Sequence, residues 1–152
     1  MSREIDRYVL PAAVTLAGTY QLAKYARAVG AARHKFNISP PDVTGPPEFI
    51  RTYRAHQNTF EFYPMSLTSL WLGSVFFHPV PSSLLYTGYL YGRYKYFHGY
   101  VEDADKRLTG FVLSARCLVG LMILSLLGIS HKAIRYFHGA DLFKLAQERL
   151  GC

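Results

Sequence analysis

The sequence predicts an all-α protein, an integral membrane four-helix bundle, and three observations lead there. Four long apolar segments recur along the 152 residues, separated by short stretches rich in proline, glycine or charge. Two of them, Met65–Phe77 and Leu118–Ile129, contain no charged residue and no polar face. A helix of a soluble bundle needs such a face against water, so a soluble bundle is the weaker reading. Finally, half of the residues are apolar, and 12 tyrosines and 10 phenylalanines add rings that suit a membrane boundary. The length suits a single domain, residues 1–152, long enough to bury a core.

The first helix is predicted from Tyr8 through Ala23 and on to the basic end Arg33-His34-Lys35, with Pro11 near its start, where a helix tolerates proline. Residues 37–47 hold four prolines and Gly45 and read as an ordered loop. Pro46-Pro47-Glu48 is a suitable helix start, with the acid near the positive end of the dipole. The second helix is expected from Arg51 to Phe77, broken by a short turn at His78–Ser82. A third, strongly aromatic, covers Ser83–Tyr100, and Glu102–Arg107 connects it to a fourth at Leu108–Ile129. Beyond this, Ile134, Phe137, Leu142 and Leu145 have amphipathic spacing, which predicts a separate interfacial helix between His131 and Leu150.

The formal charge of +7 has two equally open readings: affinity for anionic headgroups or an acidic substrate, or a solvated surface with basic loops. The basic residues are not gathered on one polar element, which argues against a nucleic-acid partner. Cys117 and Cys152 form no disulfide framework and no metal spacing, and His78, His131 and His138 are no better placed, so no metal is expected. The first connection and its flanks carry Arg27, Arg33, Lys35, Arg51 and Arg54, which argues for the cytosol by the positive-inside rule, while the balanced third connection and the basic tail pull the other way. Arg116, alone in the fourth helix, is left open between a subunit contact and a headgroup contact.

The candidate site is polar and lies where the second helix turns apolar. At roughly 100° per residue, Arg51, Arg54, Asn58 and Glu61 fall within about 80° of one another. Arg93, Tyr96 and Tyr100, spaced i, i+3 and i+7, share a face of the third helix. The two helices run antiparallel across a short turn, so these stripes and Arg107 are level at one membrane face. Such a pocket suits a ligand with carboxylates for the arginines and an amine for Glu61. The alternative is that these groups merely pair between helices, as polar glue does in membranes.

Three strings carry a resemblance: Pro40-Pro41-Asp42-Val43-Thr44-Gly45-Pro46-Pro47-Glu48-Phe49, Arg54-Ala55-His56-Gln57-Asn58-Thr59-Phe60-Glu61-Phe62-Tyr63-Pro64, and Tyr91-Gly92-Arg93-Tyr94-Lys95-Tyr96-Phe97-His98-Gly99-Tyr100. They resemble the MAPEG family, membrane-associated proteins of eicosanoid and glutathione metabolism, from the first helix to the fourth. The resemblance implies a homotrimer of the endoplasmic reticulum or nuclear envelope, with glutathione as co-substrate held between subunits near the cytosolic face. Arg54, Asn58, Glu61, Phe62, Arg93, Tyr96, Tyr100 and Arg107 would bind it from one subunit, and Arg33 and His56 from the next. Arg107 would hold the sulfur as thiolate, with Arg33 and His34 as further catalytic candidates. The electrophile would be lipophilic, leukotriene A4 among the candidates, with lipid hydroperoxide reduction as a second activity.

Some members have an arginine at the place of His34, a glutamine at His56, a tyrosine at Phe62 and a tryptophan near Val119. These departures count against dedicated leukotriene synthesis and imply a lipid cleft less closed at its end. The rival implied by the same family is a non-catalytic lipid-presenting scaffold like the five-lipoxygenase-activating protein, which lacks the arginine and glutamate matching Arg54 and Glu61.

Overall fold

A computed structural model describes residues 5–138 of the chain. Four helices follow one another: α1 (Val9–Phe36), α2 (Pro47–Leu72), α3 (Pro79–Glu102) and α4 (Arg107–His138). α1 ends in a basic turn, Arg33, His34 and Lys35, which complements the negative end of its dipole. Asn37 caps it in the left-handed conformation at φ 54°, one of the few non-glycine residues that accept that geometry. Pro47 opens α2 where its missing N–H is no loss, and Glu48 lies in the first turn.

The turn between α2 and α3 is tighter than the sequence predicts. α2 widens into a π-helical segment, Gly73–Phe77, and α3 starts at Pro79, leaving His78 alone between them. His78 makes this sharp reversal workable: its backbone is extended, and its Nδ1 accepts the Val80 N–H at 3.2 Å. The far end of α4 also differs from expectation. The helix runs unbroken from Arg107 to His138, through Ser130 and His131, because no proline lies within it and a lone glycine such as Gly128 is tolerated in a packed helix. Leu142 and Leu145, on which a separate interfacial helix depended, lie outside the described residues.

α3 and α4 form the tightest pair. A Cβ on Gly92 would lie 2.6 Å from the Ser114 backbone nitrogen, and one on Gly110 would clash with the Tyr96 backbone. The two helices therefore touch main chain to main chain, as small residues permit in membrane proteins. Above and below this contact sit two clusters. One gathers Leu70, Tyr86, Tyr89, Leu118 and Leu121; the other gathers Tyr25, Ala55, Tyr96 and Phe97. Tyr25 and Phe97 stack face to face at 3.8 Å, tying α1 to α3, and Gln21 Nε2 donates to the Leu90 carbonyl at 3.0 Å.

The distribution of side chains differs from a soluble bundle's. Arg93 is fully buried, and Ser66, Ser74, Ser82 and Ser114 are also buried in the interior. Leu16, Leu84 and Leu126 meanwhile stand about two-thirds exposed or more. Several inward hydroxyls are satisfied on their own helix, as when Ser69 Oγ donates to the Met65 carbonyl and Ser83 Oγ to the Pro79 carbonyl. An apolar exterior around a hydroxyl-rich interior is what a lipid surround demands. By length and composition α4 is the one helix among the described residues that passes as a membrane span by itself. The other three turn apolar faces outward while tyrosines and charges near their ends dilute their average.

Candidate functional site

At the end of the bundle where α2 begins and α3 ends, Arg54, Gln57, Asn58 and Glu61 from α2 meet Tyr96 and Tyr100 from α3 and Arg107, the first residue of α4. They line a cleft of about 190 Å³. The fold assembles it because Arg54, Asn58 and Glu61 recur at helical spacing on one face, while Tyr96 and Tyr100 do the same on the antiparallel neighbour. The short connection at residues 103–106 then brings Arg107 back to the same level.

Within the cleft a relay runs along α2. Arg54 Nη1 donates to Gln57 Oε1 at 3.1 Å, and Gln57 Nε2 donates to Glu61 Oε1 at 3.2 Å. Arg54 and Glu61 are thus linked through a neutral amide rather than by a direct ion pair. Both remain exposed, and each keeps further hydrogen-bonding capacity for a ligand. The Arg107 guanidinium lies over the Tyr100 ring at 4.7 Å, and the Tyr96 and Tyr100 rings meet edge to face at 5.7 Å. Arg107 also stands at the N-terminal end of α4, so its cation and the helix dipole act together on any anion there. The cleft offers two guanidiniums, one carboxylate, two amides and two phenols on three helices.

Other residues singled out from the sequence lie elsewhere. Arg93 does not line the cleft but sits behind it, donating from Nη2 to Asn58 Oδ1 and Thr59 Oγ1, each at 2.9 Å. Phe62 packs there too, with the Arg93 guanidinium 5.4 Å from its ring. Arg33 and His34 line a separate cavity of about 440 Å³ with Asn37, Ser39 and Pro40. Arg33 Nη1 donates to the Asp42 carbonyl at 2.7 Å, and its guanidinium lies 5.3 Å from the Phe49 ring. His56 is half-buried against Phe60, outside the cleft. Within one protomer, then, Arg33, His34 and His56 do not join the residues around Arg107.

Arg51 leaves the stripe in which helical spacing puts it. Its Nε donates to the Val101 carbonyl at 3.1 Å, and it lines a crevice between α1, α2 and α3 with Lys35 and Glu48. A side chain of this length can swing off its ideal direction to reach a free carbonyl at the end of α3. At the same rim, a hydrogen bond from Lys35 holds the Glu48 carboxyl below its usual range. Beside Arg107, the hydrogen bond to Glu102 raises Lys106 above the ordinary lysine value. Gln57 is the cleft residue that the pattern of charges and aromatic rings does not single out. Its position three residues after Arg54 and four before Glu61 is the signal that points to it.

Farther along the α2–α4 seam lies an apolar groove of about 480 Å³, lined by Ser69 and Leu72 of α2 and by Val119, Met122, Ile123 and Leu126 of α4 among others. From Glu61 to Ser69 along α2 is about 12 Å, so groove and cleft are successive stations on one seam.

Comparison with known proteins identifies the family. The MAPEG family model matches residues 8–127. Human microsomal glutathione S-transferase 2 is 46% identical over 136 residues, which is 90% of this chain and 92% of the human protein. The mouse protein of the same name is 44% identical over 128 residues, 84% of this chain and 87% of its own length. Bovine leukotriene C4 synthase is 43% identical over 124 residues, 82% of this chain and 83% of its own. A match from the first helix into the fourth, at this identity, makes the chain a member of the MAPEG family.

Proposed function

We propose that this protein is a membrane glutathione transferase that conjugates glutathione to lipophilic electrophiles. The observation that carries this reading is the cleft around Arg107, in which two guanidiniums, a carboxylate and two phenols converge beside an apolar seam. Glutathione has two carboxylates and an ammonium group, which suit Arg54 and Glu61 respectively. Arg107 then faces the sulfur. A free thiol has a pKa of about 8.5, and a fixed cation at a helix N-terminus lowers it, so the thiolate persists at neutral pH.

The reaction follows from that placement. The thiol proton leaves to solvent, the thiolate forms a bond to the electrophilic carbon, and the C–O bond of an epoxide breaks or, on an activated aromatic ring, the adduct expels the halide from the same carbon. A halide departs as such, whereas an alkoxide takes up a proton. The apolar groove between α2 and α4 holds the hydrocarbon part of the electrophile. Leukotriene A4 belongs to the substrate range of this site; a lipid hydroperoxide is instead attacked at its terminal oxygen, the O–O bond breaks to release the alcohol, and a second glutathione converts the resulting sulfenic acid to glutathione disulfide and water.

A cleft of about 190 Å³ is smaller than the roughly 300–1,000 Å³ usual for a small-molecule site. A neighbouring copy that brings Arg33, His34 and His56 to its open side would complete it, and the family resemblance makes that assembly a homotrimer with sites between protomers. The basic end of the bundle faces the cytosol of an endoplasmic reticulum or nuclear envelope membrane, by the positive-inside rule. The deciding experiment mixes purified protein rapidly with glutathione, follows ultraviolet thiolate absorbance, and then measures conjugation of a chlorinated nitroaromatic and of leukotriene A4. Thiolate formation and turnover are expected. Their joint absence would leave a lipid-presenting scaffold as the reading.

A further inference from the structure

Arg93 is the largest fully buried side chain among the described residues, and no ion pair there holds it; the Glu61 carboxylate acts on it only through space. Its Nη2 donates to Asn58 Oδ1 and Thr59 Oγ1, each at 2.9 Å. Nε and Nη1 find no hydrogen-bond partner among the described residues. Aromatic faces cover the guanidinium: the Tyr96 ring lies 4.4 Å and the Phe62 ring 5.4 Å from its centre. A buried cation with two unpaired nitrogens inside a membrane bundle is costly, so its geometry calls for a physical account.

The chemistry of guanidinium supplies one. Arginine has donors and no acceptor, so whichever atom of the Asn58 amide faces Nη2 must be the oxygen. Asn58 also lines the cleft beside Arg107. With its oxygen committed to Arg93, the amide presents its NH₂ as the group free for the cleft. Thr59 fixes Arg93 in turn, because its hydroxyl accepts from Nη2 while donating to the Ala55 carbonyl at 2.8 Å. Stacking on Tyr96, itself a cleft residue, holds the guanidinium plane.

We infer that Arg93 is a positioning residue that never touches the ligand: it locks the Asn58 amide so that Nδ2 donates to a carbonyl or carboxylate oxygen of glutathione. This rests on the transferase reading above and refines it. Asn58 is thereby a dedicated donor, selecting an acceptor group on the ligand and rejecting the ammonium that Glu61 receives.

The test is equilibrium binding of glutathione to the full-length protein in detergent, with thermal midpoints recorded for each variant. Asn58→Asp keeps an oxygen for Arg93 and gives that cation a counter-charge, but places an acceptor where the donor was. It is expected to keep or raise the thermal midpoint while glutathione binds at least about tenfold more weakly. Arg93→Met is expected to weaken binding about tenfold with kcat changed less than about twofold, and Arg93→Lys to recover part of the loss. In an Asn58→Ala background, Arg93→Met should have little further effect, because its route of action is gone. Equal loss in both backgrounds, or Asn58→Asp binding as tightly as wild type or tighter, would overturn the inference alone. Wild-type protein that binds no glutathione would overturn the transferase reading and this inference with it. If Arg93→Met fails to assemble, Asn58→Asp decides by itself.

Discussion

Arg107 opens α4 with its guanidinium 4.7 Å from the centre of the Tyr100 ring, the last aromatic on that face of α3. The ring holds a flexible cation in place across the connection between the two helices. Replacing Arg107 with alanine removes the charge that, in the proposed transferase, faces the thiol. We expect conjugation to fall by about 10²-fold or more, the usual loss for one electrostatic stabiliser of an anion. The thiolate absorbance should vanish and the oligomer remain intact. An Arg107→Ala protein with wild-type kcat would remove this residue from the chemistry.

Glu61 is linked to Arg54 through Gln57 rather than directly, so its carboxylate retains capacity for an ammonium group. Glu61→Gln keeps the shape and the bond to Gln57 but loses the charge. Glutathione KM should rise about tenfold or more, the worth of one charge-assisted hydrogen bond, with kcat changing far less. Steady-state kinetics at varied glutathione concentration separate the two. A fall confined to kcat would contradict a binding role for Glu61.

Arg33 and Arg107 line different cavities of one protomer. If a trimer site draws Arg33 from one copy and Arg107 from the next, two inactive chains complement each other. Co-expressed Arg33→Ala and Arg107→Ala chains should regain conjugating activity that neither homotrimer has. Activity of the mixed preparation no greater than that of the separate variants would place both arginines on one protomer's chemistry, or Arg33 outside it.

A side chain on Gly110 would run into the Tyr96 backbone, which a helix cannot move aside. Gly110→Val should therefore separate α3 from α4, lowering the thermal midpoint by several degrees and displacing Tyr96 from the cleft. Glutathione binding and stability should fall together, unlike the Arg107 and Glu61 variants. A thermal midpoint equal to wild type would show that the two helices have room for a side chain between them.

Much of the site was legible because helical periodicity is regular. Arg54, Asn58 and Glu61 share a face by spacing alone, as do Tyr96 and Tyr100, and the antiparallel order of α2 and α3 makes the two faces level. Periodicity says nothing about where a long side chain ends. Arg51 belongs to the same stripe by angle, yet it reaches the Val101 carbonyl; Arg93 shares a face with Tyr96, yet it turns behind Asn58. Gln57 is hard to pick out because a neutral amide stands out less than the charges it connects.

By itself the sequence determined the four helices and their order, the apolar exterior and the clustering of polar groups at one end, since these follow from local pattern and chain order, but not the one-residue turn at His78 or the run of α4 to His138. Only the tertiary structure decided which of those polar groups meet. The close approach of α3 and α4 at Gly92 and Gly110 sets the depth at which Tyr96, Tyr100 and Arg107 face α2. That approach is backbone packing between segments: the spacings Gly88-x-x-x-Gly92 and Gly110-x-x-x-Ser114 permit it, but they do not say which helix each will meet.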